Sequence, residues 1–235
     1  TLVKVEGVME QEEIRIEKIE IPIIQRDYAQ GRKTPSVKRI RERFVSSLKE
    51  ALMPDGKPMV LDFVYGYEET MKGKNKKLIP LDGQQRLTTI YLIIHYFNEM
   101  WNGKRKTTLP TISYATRNDS YYFLRSLEID EAQEAVTPGK EFREYIDYFY
   151  MKQAYSTIHK WACKQGDNFD NNDFQSKFIH RTRVIWYETI DEDPIKVFTR
   201  LNIGKISLTN AELIKALFMN RSNFRVSDVN HLKLR

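Results

Sequence analysis

Leu81-Asp82-Gly83-Gln84-Gln85-Arg86-Leu87-Thr88-Thr89 joins two periodicities. Before it, Leu78, Ile79 and Leu81 form a short apolar run; after it, Leu87, Ile90, Tyr91 and Ile94 recur at helical spacing. Asp82-Gly83 is a turn signal between the two. The stretch predicts a strand end, a tight turn and a helix start that together present a carboxylate, two amides and a guanidinium. A helix N-terminus carries unsatisfied N–H groups and partial positive charge, which suits phosphate. Arg86 adds a planar fork of donors. Asp82 is a candidate ligand for Mg²⁺, a hard cation usually held by a carboxylate plus substrate phosphates; general base is the weaker role for it. Gln84 and Gln85 can orient water and phosphate, because phosphoryl transfer depends on positioning and charge stabilisation. Plainer roles stand beside these: Asp82 as a helix cap, the glutamines as partners of buried backbone, and Thr88 and Thr89 as helix-start residues or as a hydroxyl near Mg²⁺.

Working outward, residues 13–24 alternate apolar positions at Ile14, Ile16, Ile19, Ile21 and Ile23, a strand pattern broken by Pro22. A polar loop over 31–35 leads to a helix with Val37, Ile40, Phe44, Leu48 and Leu52 on one face, ended by Pro54-Asp55-Gly56. A short strand over 60–65, with Phe63 and Val64 inside it, a Gly/Lys hairpin-like loop over 71–77 and the strand over 78–81 then lead into the turn. The helix from Gln84 runs to about Trp101 and stops at Asn102-Gly103. Alternating strands and helices predict an α/β unit. Beyond a soft boundary near 102–106 the pattern becomes mainly helical, over 119–127 and 141–164, with a break at Thr137-Pro138-Gly139 and an Asn/Asp-rich loop over 166–173. Residues 183–187 read as a buried strand; Asp193-Pro194 starts a helix, and Thr209 with Glu212 forms a capping box for another. The expected division is 1–103 for the α/β nucleotide-binding unit and 104–235 for a helical part that completes the cleft.

Composition is that of an ordinary globular protein: 41% hydrophobic and 30% charged over 235 residues. The longest apolar run, 91–97, is too short to cross a bilayer, so no membrane partner is expected. The single Cys163 cannot form an internal disulfide, which agrees with a cytoplasmic setting. The net charge of +6 permits nucleic-acid contact. The cations group in three clusters: Arg32, Lys33, Lys38, Arg39, Arg41 and Arg43; Lys72, Lys74, Lys76 and Lys77; and Lys104, Arg105 and Lys106. Such clusters are either solvated faces or DNA contacts that gain from counterion release.

Four segments together carry a family resemblance. Beside 81–89 stand Ile21-Pro22-Ile23-Ile24-Gln25-Arg26-Asp27-Tyr28 and Tyr114-Ala115-Thr116-Arg117-Asn118-Asp119-Ser120. The fourth is Phe198-Thr199-Arg200-Leu201-Asn202-Ile203-Gly204-Lys205, continued by Leu208-Thr209-Asn210-Ala211-Glu212-Leu213-Ile214-Lys215. In this order they resemble the DGQQR (ParB/sulfiredoxin-like) N-terminal domain of GmrSD-type type IV restriction proteins; Gln30 departs from the pattern, where many relatives carry Trp. The resemblance implies a nucleoside-triphosphate-binding and hydrolysing, Mg²⁺-dependent sensor of modified phage DNA. It would gate an HNH-type nuclease domain that this chain does not contain. It implies catalytic roles for Asp82, Gln84, Gln85 and Arg86, with Asp82 on the metal. Nucleotide contacts would come from Gln25, Arg26, Tyr28, Gly83, Thr88, Arg117, Asn202 and Lys205.

From the residues alone, several of these have structural alternatives: an Arg26–carboxylate pair, Tyr28 as packing, Asp119 as a helix cap, and Gly204 with Lys205 as a helix end. A ParB-like module that binds DNA or a modified base without turnover is the rival function, and a nuclease in its own right ranks last. A homo-oligomer is compatible with the sequence, which does not fix the oligomeric state.

Overall fold

A computed structural model describes residues 16–23, 28, 48, 58–71, 75–100, 106–130, 135–138, 141–166 and 169–188. The strands are β1 (Ile16–Ile21), β2 (Met59–Thr70), β3 (Lys76–Asp82), β4 (Thr111–Tyr114), β5 (Leu127–Asp130), β6 (Ala135–Pro138) and β7 (Thr182–Glu188). The helices are α1 (Gln84–Glu99), α2 (Ser120–Arg125), α3 (Ile146–Cys163) and α4 (Asn171–Arg181). The α/β class expected from the sequence is the class observed.

Five strands form one mixed sheet in the order β4-β1-β3-β2-β7, and β5 and β6 form a separate antiparallel pair. β1 runs parallel to both β3 and β4, with Ile19 opposite Leu78 and Ile21 opposite Tyr114. β2 and β3 are antiparallel, as the hairpin-like Gly/Lys loop between them predicts, and the Met71 N–H bonds the Asn75 carbonyl at 2.9 Å. β7 runs parallel to β2. Four consecutive β3 residues, Leu78 to Leu81, are buried, as in a strand covered on both faces. At the other end of β3, Lys76 and Lys77 pair with Glu68 and Glu69 at 2.6 Å each, and Lys77 also approaches Glu20 at 3.6 Å. The two described lysines of the second basic cluster are thus matched by carboxylates, and Lys106 of the third pairs with Glu99 at 3.1 Å.

α1 fills the core beneath the sheet with Leu87, Tyr91, Leu92, Ile93, Tyr96 and Phe97. α3 and α4 pack on it through rings: Tyr96 meets Tyr155 edge-on at 5.6 Å, and Phe97 lies 4.4 Å from Phe174. Asn98 locks that corner. Its amide oxygen accepts from Gln175 at 2.7 Å and from the Thr107 N–H at 3.0 Å, and its amide nitrogen donates to the Thr107 carbonyl.

Several expectations need correction. Helices do predominate after residue 104, but that half also supplies β4 and β7, so the sheet crosses the expected boundary. β4 and the β5/β6 pair are not evident in the sequence pattern. The Asn/Asp-rich loop ends sooner than expected: Asp170 caps α4, its carboxylate accepting the N–H groups of Asn172 and Asp173. The helix expected from 141 begins at Ile146. β7 is present but alternates half-buried with exposed residues, with Tyr187 51% exposed; Phe63 in β2 is also exposed. Leu48 is helical and buried as expected. The rest of the 36–52 helix, and the helix starts at Asp193 and Thr209, lie outside the described residues.

Candidate functional site

Because β1, β3 and β4 are parallel, their C-terminal ends share one edge of the sheet. Each of the three ends in one of the sequence motifs: Ile21 opens 21–28, Asp82 opens the turn at 82–86, and Tyr114 opens 114–120. Ligand sites of open α/β sheets favour this edge. Sequence separation is therefore removed by topology, and contacts between the motifs follow. The Ala115 N–H donates to the Ile21 carbonyl at 2.8 Å. The Tyr28 hydroxyl lies 2.9 Å from that of Thr89, and the Thr88 hydroxyl 2.7 Å from that of Tyr114. The two threonines at the start of α1 thus tie the central motif to the motifs on either side.

The turn itself needs glycine. Gly83 has φ +88°, and a Cβ there would lie 2.7 Å from Val64 Cγ2. This conformation starts α1, whose first backbone bond runs from the Leu87 N–H to the Gly83 carbonyl at 3.0 Å. The cap residue, Gly83, has no side chain to close the helix start, and no acid lies in the first turn. Asp82 is half-buried at the end of β3, one residue before the Gly83 cap position.

Gln84 is buried, and its amide donates to the Leu81 carbonyl at 3.0 Å, bracing the turn. Gln85 and Arg86 are half-buried. Arg86 donates through Nη1 to the Phe63 carbonyl on β2. Thr88 is fully buried with its hydroxyl on Tyr114. That placement suits a brace between motifs rather than a group in contact with a ligand. Tyr28 is buried as well, in keeping with its packing alternative.

The third motif is held from α3. Arg117 lies 3.6 Å from the buried Asp147 carboxylate, over the Tyr145 ring at 4.3 Å, and donates to the Thr116 carbonyl at 2.9 Å. Its guanidinium is directed to α3, a partnership the sequence pattern did not reveal. Asp119 occupies the first position before α2 without making the cap bond. Its carboxylate instead accepts the Tyr148 hydroxyl at 2.5 Å, and burial with this bond pushes the phenol's pKa well up. Ser120 closes the loop, accepting from the Tyr114 N–H at 2.8 Å and donating to the Arg117 carbonyl at 2.7 Å. Gln25, Arg26, Asn202 and Lys205 lie outside the described residues.

Residues 5–219 match the family model described as the GmrSD restriction endonuclease, N-terminal domain. The chain belongs to this family. The match spans all four motifs, and the three that fall at least partly within the described residues meet at one sheet edge. No curated protein matches the chain. As a GmrSD N-terminal domain, it is a module of a restriction system. Among the described residues no helix is long and apolar enough to cross a membrane, and no three His, Cys, Asp or Glu side chains group to hold a metal ion.

The donor set at the turn still fits Mg²⁺ arriving with a nucleotide, since this ion commonly takes one or two protein carboxylates and fills its shell with water and phosphate oxygens. Asp82, half-buried at the end of β3, is the carboxylate that would take such an ion.

Proposed function

We propose that this domain binds and hydrolyses a nucleoside triphosphate at the Asp82–Arg86 turn and thereby gates the nuclease of a modification-dependent restriction protein. The convergence of three motifs on the C-terminal edge of parallel strands carries the reading. The triphosphate lies against the first N–H groups of α1, and Gly83 sets the left-handed turn that starts this helix. Arg86 stabilises charge on the transferring phosphoryl group, and Gln85 orients the attacking water. Gln84 holds the turn in shape through Leu81, and Thr88 holds Tyr114 and hence the third motif. Asp82 holds Mg²⁺, which when bound neutralises phosphate charge. Gln25, Arg26, Arg117, Asn202 and Lys205 complete the nucleotide contacts, Arg117 from its station beside Asp147, while the buried Tyr28 braces Thr89. DNA bearing a modified base is the signal, and an HNH-type nuclease domain of the full-length protein is the effector; the setting is the cytoplasm.

The test is phosphate release with Mg²⁺ from ATP, GTP, CTP and UTP, with and without DNA, for wild type, Arg86→Ala and Asp82→Ala. The reading expects release from at least one nucleotide by wild type and a loss of at least a hundredfold in both variants. Nucleotide binding without release under every condition replaces it with a non-hydrolytic, nucleotide-gated DNA-binding module. Neither binding nor release overturns it.

A further inference from the structure

β2 overshoots the end of β3. Tyr65 is the residue opposite Asp82, so 59–64 continue past the turn, paired only with β7 among the described strands. This projection stands beside the start of α1: Val64 packs against Gly83, and Arg86 bonds the Phe63 carbonyl. Parallel pairing puts opposed side chains on one face, with Phe63 opposite Ile185 and Tyr65 opposite Tyr187. That face is apolar and open, Tyr187 being 51% and Phe63 and Ile185 each 40% exposed. Its three rings form a row, with Phe63–Tyr65 centroids 5.7 Å apart and Tyr65–Tyr187 centroids 5.3 Å apart.

Isolated exposed apolar residues need no explanation, but a contiguous aromatic patch marks a contact surface. Asp82 is the β3 residue opposite Tyr65, and the carbonyl of Phe63, two residues before Tyr65 on β2, accepts from the Arg86 guanidinium. The aromatic row is therefore continuous with the turn assigned above to the triphosphate. Planar rings flanking a phosphate site have the chemistry of a base platform, because every nucleobase offers a π-face and stacking tolerates its identity.

We propose that Tyr65 and Tyr187, flanked by Phe63 and Ile185, form the stacking subsite for the base of the nucleotide whose phosphates lie at the Asp82–Arg86 turn. The inference rests on the triphosphate reading and deepens it. It assigns the base to the outer face of β2 and β7 and expects modest discrimination among the four bases, since stacking tolerates the identity of the base.

The experiment separates the two readings by comparing a nucleoside triphosphate with inorganic tripolyphosphate. Affinities of ATP and tripolyphosphate are measured by calorimetry with Mg²⁺ for wild type, Tyr187→Ala and Tyr187→Phe, together with sedimentation velocity of each protein. Wild type is expected to bind ATP more tightly than tripolyphosphate. Tyr187→Ala should lose roughly tenfold for ATP, the scale of one base–aromatic stack, and nothing for tripolyphosphate. Tyr187→Phe, which keeps the ring, should retain wild-type ATP affinity. If ATP and tripolyphosphate bind alike and Tyr187→Ala changes neither, the base platform falls while the phosphate site stands. If neither binds, both readings fall. If Tyr187→Ala instead converts an oligomer to a monomer with ATP affinity unchanged, the face is an interface between copies of this chain and the proposal is overturned.

Discussion

The Thr88 hydroxyl lies 2.7 Å from the Tyr114 hydroxyl, with both side chains buried, and this bond joins the helix after the central motif to the strand that opens the third. Removing one partner leaves the other's polar atom in an apolar surrounding, whereas removing both spares that cost. Thr88→Val is therefore expected to destabilise the domain by about 1–2 kcal/mol. Added to Tyr114→Phe it should cost clearly less than the sum of the two single variants. Urea unfolding of the four proteins measures the coupling; strict additivity would show that the bond contributes nothing.

Gly83→Ala faces two obstacles. The residue sits at φ +88°, where an L side chain is strained, and its Cβ would lie 2.7 Å from Val64 Cγ2 and 3.2 Å from Val64 Cα. The expected loss is about 2–4 kcal/mol. Adding Val64→Ala should relieve only the collision. Full rescue by that second change would show that the backbone conformation is unstrained. Gly66→Ala should cost at least as much, because its new Cβ would run into the Ile79 carbonyl oxygen, which cannot rotate away.

Local physics decides what the sequence discloses. The β3–turn–α1 segment is legible because strand, turn and helix signals agree within nine residues, and β1 and the β2–β3 hairpin are legible for the same reason. The α/β class follows from their alternation. β4 is only four residues long, Thr111–Tyr114, and owes its place to pairing with β1, about ninety positions earlier in the chain. No local pattern carries that. The site divides similarly. That Asp82, Gln85 and Arg86 stand at a strand–helix junction can be read directly, whereas the bracing by Gln84 and Thr88, and the hold of Asp147 on Arg117, depend on tertiary partners. Nor can period-two alternation tell which face of β7 meets the core, so Tyr187 passes for part of a buried strand.

Asp147 is 1% exposed, and the guanidinium of Arg117 lies 3.6 Å away, beyond hydrogen-bond length but within ion-pair range. A buried carboxylate that loses its cation is costly even where the pair itself contributes little net stability. Arg117→Ala is expected to lose about 3 kcal/mol, and Arg117→Ala with Asp147→Asn to recover part of it, because the uncompensated charge is gone. Thermal unfolding of the two variants decides this; a double variant less stable than Arg117→Ala would put the dominant effect in packing against Tyr145.

His95 sets the first loss of stability on the acid side. Burial lowers its imidazole pKa from 6.5, Glu99 at 3.9 Å pulls the other way, and Lys106 and Arg125 reinforce the lowering. A histidine whose folded pKa is depressed binds its proton more readily when unfolded. Its contribution is therefore complete above about pH 6.5 and is lost as pH falls from there towards the folded value. Glu20 acts in a lower window. Burial opposes its ionisation, but the hydrogen bond and charge of Lys18, with Lys77, outweigh that and hold its pKa below 4.5. Stability from Glu20 is present above pH 4.5 and lost as pH falls through its folded value. Urea midpoints followed from pH 8 to pH 4 should show the upper descent in wild type and in Glu20→Gln but not in His95→Gln. If the descent below pH 6.5 survives His95→Gln, another group carries it, and the burial of this imidazole has no consequence for folding.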